Sequence, residues 1–78
     1  MSRKTSLDKL KIGQSAIIES FTDETLSLKL MEMGCLPDEI VTLERKAPLG
    51  DPIAISVSGY LLSLRMDEAA TVIVLLMD

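Results

Sequence analysis

A chain of 78 residues with no histidine and one cysteine has few ways to do chemistry. Histidine is the usual general base near neutral pH and the commonest metal ligand. Without it, Cys35 has no imidazole to take its proton, so a Cys–His nucleophile is excluded. Zinc sites need clusters of thiolate and imidazole, which this composition cannot supply. Carboxylate oxygens for a hard cation remain, from Asp51 or from the pair Asp67 and Glu68. The plainer assignment is structural: Asp51 shapes a turn and Asp67 caps a helical turn. Gly13, Gly34, Gly50 and Gly59 have no phosphate-loop spacing, and no Gly-Lys-Ser/Thr occurs. Phe21 and Tyr60 are too few to line a proline-rich-peptide groove or to stack bases. The residues therefore read as a binding module with no catalytic, cofactor or metal site, and not as an enzyme.

The bulk properties agree. The net charge is −4, divided into +3 over residues 1–13 and −7 over the remainder. An acidic body lacks the basic stripe that nucleic acid requires. One cysteine permits no internal disulfide and fits a reducing compartment. The start of the chain lacks the apolar run of a signal peptide. The most apolar stretch, residues 72–77, falls far short of the ~20 residues that cross a bilayer. A soluble cytosolic protein is expected, with residues 1–6 as a disordered tail and residues 7–78 as one domain. The chain is 47% hydrophobic, which is high for so small a domain, so some apolar surface should remain for a partner.

The elements that must carry any site are short. Gly13 turns into a strand over residues 14–20, with Ala16 and Ile18 on one face. Thr22 can cap a helix whose first turn holds Asp23 and Glu24, with Phe21 and Leu26 at staple spacing. Gly34 suits a left-handed stop, Cys35 should pack on Leu30, and Pro37 prevents resumption. Leu26, Leu30 and Met33 share one helical face; Leu28 and Met31 lie nearly opposite. Strands follow over residues 39–46, 53–57 and 60–65, the last two joined by a Ser58-Gly59 turn. In A-P-L-G-D-P-I (residues 47–53), Gly50 permits a tight turn and Asp51 can bond nearby amides. A helical turn capped by Asp67 and a strand over residues 71–76 complete the chain. Five short strands predict a small, partly open barrel capped or plugged by the helix. Its expected core is Ala16, Ile18, Leu26, Leu30, Val41, Leu43, Ile53, Ile55, Val57, Leu62, Leu64, Ala69, Val72 and Val74.

Four stretches occur in an informative order: L-x-x-L-K-I-G at 7–13, K-L-M-E-M-G-C-L-P at 29–37, R-K-A-P-L-G-D-P-I at 45–53 and S-L-R-M-D-E-A at 63–69. Together they resemble the FeoA family, ferrous iron transport protein A, over residues 6–76. The resemblance implies a mainly β, SH3-like barrel with one short helix. It also implies a non-catalytic cytosolic accessory role beside FeoB, the membrane protein that imports Fe²⁺. Two positions depart from the family pattern. Asp38 follows Pro37 where glycine is usual, and Lys29 stands where arginine is common, keeping the charge without the planar fork.

If the core assignment holds, Leu28 and Met31 point away from it. So do Ile73, Leu75 and Met77 on the last strand, unless Leu7 and Leu10 cover them. One of these two patches is expected to meet the FeoB-type partner, since apolar, adaptable side chains gain on leaving water. Two rivals remain at this stage. One is a free-standing Fe²⁺-responsive module akin to the SH3-like domains of diphtheria-toxin-repressor-type regulators. The other is a self-assembling adaptor, a weak homo-oligomer formed through an apolar strand edge.

Overall fold

The computed structural model describes residues 3–77. Six strands form one antiparallel sheet: β1 (Lys4–Ser6), β2 (Ser15–Phe21), β3 (Ile40–Lys46), β4 (Ile53–Val57), β5 (Tyr60–Leu64) and β6 (Val72–Leu76). Helix α1 (Glu24–Glu32) joins β2 to β3, and the four-residue α2 (Met66–Ala69) joins β5 to β6. The strand order is β1-β6-β2-β3-β4-β5. The end strands β1 and β5 do not pair with each other, so the expected barrel is an open sheet.

The sixth strand was not foreseen. Residues 4–6, expected in a disordered tail, pair with β6 through Lys4↔Leu75, Thr5↔Val74 and Ser6↔Ile73. Lys-Thr-Ser carries no apolar alternation, so only the exposed backbone edge of β6 draws it into the sheet. The 3₁₀ turn at Leu7–Lys9 follows, and it sends Leu7 and Leu10 into the core.

The anticipated core is otherwise present. Ala16, Ile18, Leu30, Val41, Leu43, Ile53, Ile55, Val57, Leu64, Ala69, Val72 and Val74 are buried, with Cys35 among them; Leu26 and Leu62 pack against this cluster half-buried. A bulge in β2 between Ile18 and Ser20 changes the side-chain alternation. It turns Phe21 inward opposite Val72, so Phe21 ends a strand and is not a residue before a helix cap.

Both ends of α1 have physical causes. The cap is Asp23, not Thr22: Asp23 Oδ1 accepts from the Leu26 N–H at 2.9 Å. Thr22 is occupied elsewhere, because its N–H donates to the Thr71 carbonyl at 2.9 Å and its hydroxyl turns to the same oxygen. At the other end Gly34 takes φ +107°. Cys35 N–H then donates to Leu30 O at 2.9 Å and Gly34 N–H to Met31 O at 3.0 Å. This is the paired bonding of a Schellman stop, and it sets Cys35 against Leu30. Beyond it, Glu39 N–H bonds Leu36 O at 3.1 Å across Pro37 and Asp38, and Asp38 has φ +73°. That is a type II turn, so Asp38 adopts the left-handed geometry that glycine holds without strain.

Candidate functional site

Three of the four informative stretches meet in space. Lys29 from α1 and Met33 at its C-terminal cap, Asp51 and Pro52 from the β3–β4 connection, Ser63 and Leu64 from the end of β5, Arg65 just beyond it, and Glu68 from α2 line one open cleft of about 590 Å³. Each side chain is placed by local geometry already described. The helix stop aims Met33, the β3–β4 connection presents Asp51, and α2 presents Glu68.

The charges in this cleft are largely satisfied from within. Lys29 Nζ pairs with Glu68 Oε2 at 2.8 Å. Glu68 Oε1 accepts the Arg65 N–H at 2.9 Å, closing the first turn of α2. The Lys29 hydrogen bond, with help from the Arg65 amide, holds the Glu68 carboxyl below its ordinary range. Asp51 Oδ1 accepts the Met66 N–H at 3.1 Å. Asp51 therefore caps a helix fifteen positions along the chain, and Asp67 does not cap it. The signal was present in the sequence: a glutamate three residues after Arg65 is the acidic half of a capping box. Asp51 as a distant acceptor carried no such signal, because only the folded hairpins bring it to α2.

The carboxylates of the cleft are engaged with Lys29 and with backbone amides. Cys35 is fully buried, and burial raises its thiol pKa, which suppresses the thiolate. Among the described residues no group of three or more His, Cys, Asp or Glu side chains is placed to hold a metal ion. No helix among them is long and apolar enough to cross a membrane.

The five residues singled out for a partner fall on two surfaces. Leu28 is 65% exposed on α1 and Met31 is half-buried there. Ile73, Leu75 and Met77 lie on the outer face of the sheet; the first two are half-buried and Met77 is exposed. Leu7 and Leu10 do not cover that face, since they join the core with Val72 and Val74 on the other side. Lys4 Nζ instead reaches Glu19 at 3.0 Å, an ion pair that spans β6 from β1 to β2. Cross-strand pairing adds Ile17 and Ile40 to this outer surface beside Leu75. The strand period puts Ile17 opposite Ala16 and Ile18, but neither Ile17 nor Ile40 is assigned to this patch by the sequence, because adjacency across strands is set by register.

A search of curated protein sequences returns no match. The family model of the FeoA domain matches residues 5–76. The chain belongs to the FeoA family. A FeoA-like protein from Clostridium acetobutylicum is 33% identical, with a TM-score of 0.92 over 100% of this chain and 92% of that one. FeoA from Chlorobium tepidum is 32% identical, with a TM-score of 0.87 over 95% of this chain and 71% of that one. FeoA from Stenotrophomonas maltophilia, solved with zinc, is 31% identical, with a TM-score of 0.79 over 90% of this chain and 88% of that one. It is described as an SH3 domain protein and a candidate ferrous iron transport activating factor. A manganese-dependent transcriptional repressor shares the fold alone, with a TM-score of 0.86 at 11% identity over 44% of its length. The FeoA family is associated with ferrous iron transport, and this chain shares the architecture of the member described as an SH3 domain protein.

Proposed function

We propose that this FeoA-family chain is a non-catalytic, cytosolic accessory protein of ferrous iron uptake that docks on the cytosolic part of a FeoB-type transporter. The observation that carries the reading is the apolar surface left exposed on α1 and on the outer face of the sheet, at Leu28 and Met77 above all. The cleft beside α1 holds no cysteine or histidine, its carboxylates are bonded to Lys29 or to backbone amides, and no metal cluster forms among the described residues. Apolar surface of this kind gains by meeting a partner. Leu28 and Met31 on α1 provide the apolar contact, with the outer face at Ile73, Leu75 and Met77 as the second patch. Iron is the transporter's cargo and needs no site on this chain.

The test replaces Leu28 and Met31 together with glutamate. Far-UV circular dichroism and thermal unfolding should match the parent protein, because neither side chain is buried in the core. Binding to the purified cytosolic part of FeoB should weaken at least tenfold, and FeoB-dependent Fe²⁺ uptake should fall with it. Unchanged binding and uptake in the folded variant removes the α1 patch. The same experiment on Ile73→Glu with Met77→Glu then decides for or against the outer face.

A further inference from the structure

The two free edges of the sheet are not alike. β1 is three residues long and carries Lys4, a charge of the kind that discourages edge pairing. β5 is five residues long, Tyr-Leu-Leu-Ser-Leu, without charge, proline or bulge. Tyr60 is 68% exposed and Leu61 57% exposed. Such an edge is a template for another strand.

Its hydrogen-bonding pattern can be read from the hairpin. Ser58 and Gly59 form a two-residue turn with φ +52° and +81°, so the flanking pair Val57 and Tyr60 is hydrogen-bonded. The alternation then turns the amides and carbonyls of Tyr60, Leu62 and Leu64 toward β4. Those of Leu61 and Ser63 point away from the sheet, and among the described residues neither bonds another element.

We propose that this edge pairs with the β5 edge of a second copy of the chain, antiparallel about a two-fold axis at Leu62. In that register Leu61 exchanges both of its free bonds with Ser63 of the second copy, and Ser63 does so with Leu61. Leu62 faces its own counterpart as a non-hydrogen-bonded pair. No like charges meet along the strand. Arg65 comes opposite Gly59 of the second copy, beside the Glu39 carboxylate that accepts from the Ser58 hydroxyl. The contact is isologous and closes at two copies, because pairing consumes the β5 edge of both and leaves β1, with its lysine, outermost. This edge is separate from the α1 patch but shares Ser63 and Arg65 with the cleft, so its test reads self-association alone, without the transporter.

The strand contact is small, so the dimer is weak and depends on concentration. Sedimentation equilibrium of the full chain from micromolar to millimolar protein should show a reversible monomer–dimer equilibrium with no larger species. Two variants probe the edge differently. Ser63→Pro removes an amide that points away from β4, so the hairpin keeps its own bonds. Leu61→Lys keeps the backbone and guards the edge with a charge. Both should raise the dimer dissociation constant at least tenfold while circular dichroism of the dilute monomer is unchanged. A parent protein that stays monomeric throughout, or a dimer that survives in both variants, overturns the proposal.

Discussion

Asp51→Ala isolates the link between the β3–β4 connection and α2. With only four residues, α2 has too few internal bonds to persist on propensity. Its retained bonds are Ala69 N–H to Arg65 O at 3.0 Å and Ala70 N–H to Met66 O at 2.9 Å. Of the amides at its start, Glu68 takes that of Arg65 and Asp51 takes that of Met66. Removing the Asp51 carboxylate returns the Met66 amide to solvent. Loss of a capping acceptor costs about 1 kcal/mol, within a range of roughly 0.5–2. In a domain of this size that lowers the melting temperature by about 4–8 °C per kcal/mol. Asp51→Asn keeps an acceptor oxygen but loses the charge assistance, so its loss should be about half as large. Differential scanning calorimetry gives the magnitude, and amide hydrogen exchange at Met66 gives the location. If Asp51→Ala melts with the parent protein and leaves the Met66 amide equally protected, the cap across the cleft is not an energetic contact and the reasoning fails.

Three other outcomes follow from the same geometry. Lys29→Met should cost at most about 1 kcal/mol at neutral pH, because Lys29 is largely exposed. Since the bond lowers the Glu68 pKa, its stabilisation is complete above the ordinary glutamate value of about 4.3 and is lost as pH falls through the folded value. Urea unfolding over a pH series should therefore show the parent and variant converging in acid; a constant gap would contradict the ion pair. Gly34→Ala should destabilise by about 1–2 kcal/mol through backbone strain alone, since φ is +107° and nothing lies within 4 Å of a Cβ there. Equal denaturation midpoints for the two proteins would rule out the left-handed stop. Cys35 should resist thiol reagents in the native protein and react at the rate of a free thiol in denaturant, as its burial and raised pKa require; rapid native labelling would show that the α1 stop opens readily.

Local chemistry wrote much of this protein directly into its sequence. Gly34 and Cys35 announce the helix stop because the Schellman bonds lie within six residues. Ile53, Ile55 and Val57 reveal their inward face because a strand alternates at a period of two. The lack of histidine narrows the chemistry before any fold is known. Four spaced stretches suffice to reveal the family. Other features depended on contacts between distant residues, and no local pattern encodes those. Lys4–Ser6 becomes a strand only because β6 offers an edge. Thr22 gives up the cap because Thr71 holds its amide. A bulge turns Phe21 inward against the simple alternation. The cleft exists only because three stretches, each with a local structural reason of its own, are brought together by strand register. Backbone hydrogen bonds and φ preferences act over a few residues and can be read in order along the chain. Which carboxylate meets which amide is decided when the sheet forms, and so it belongs to the tertiary structure.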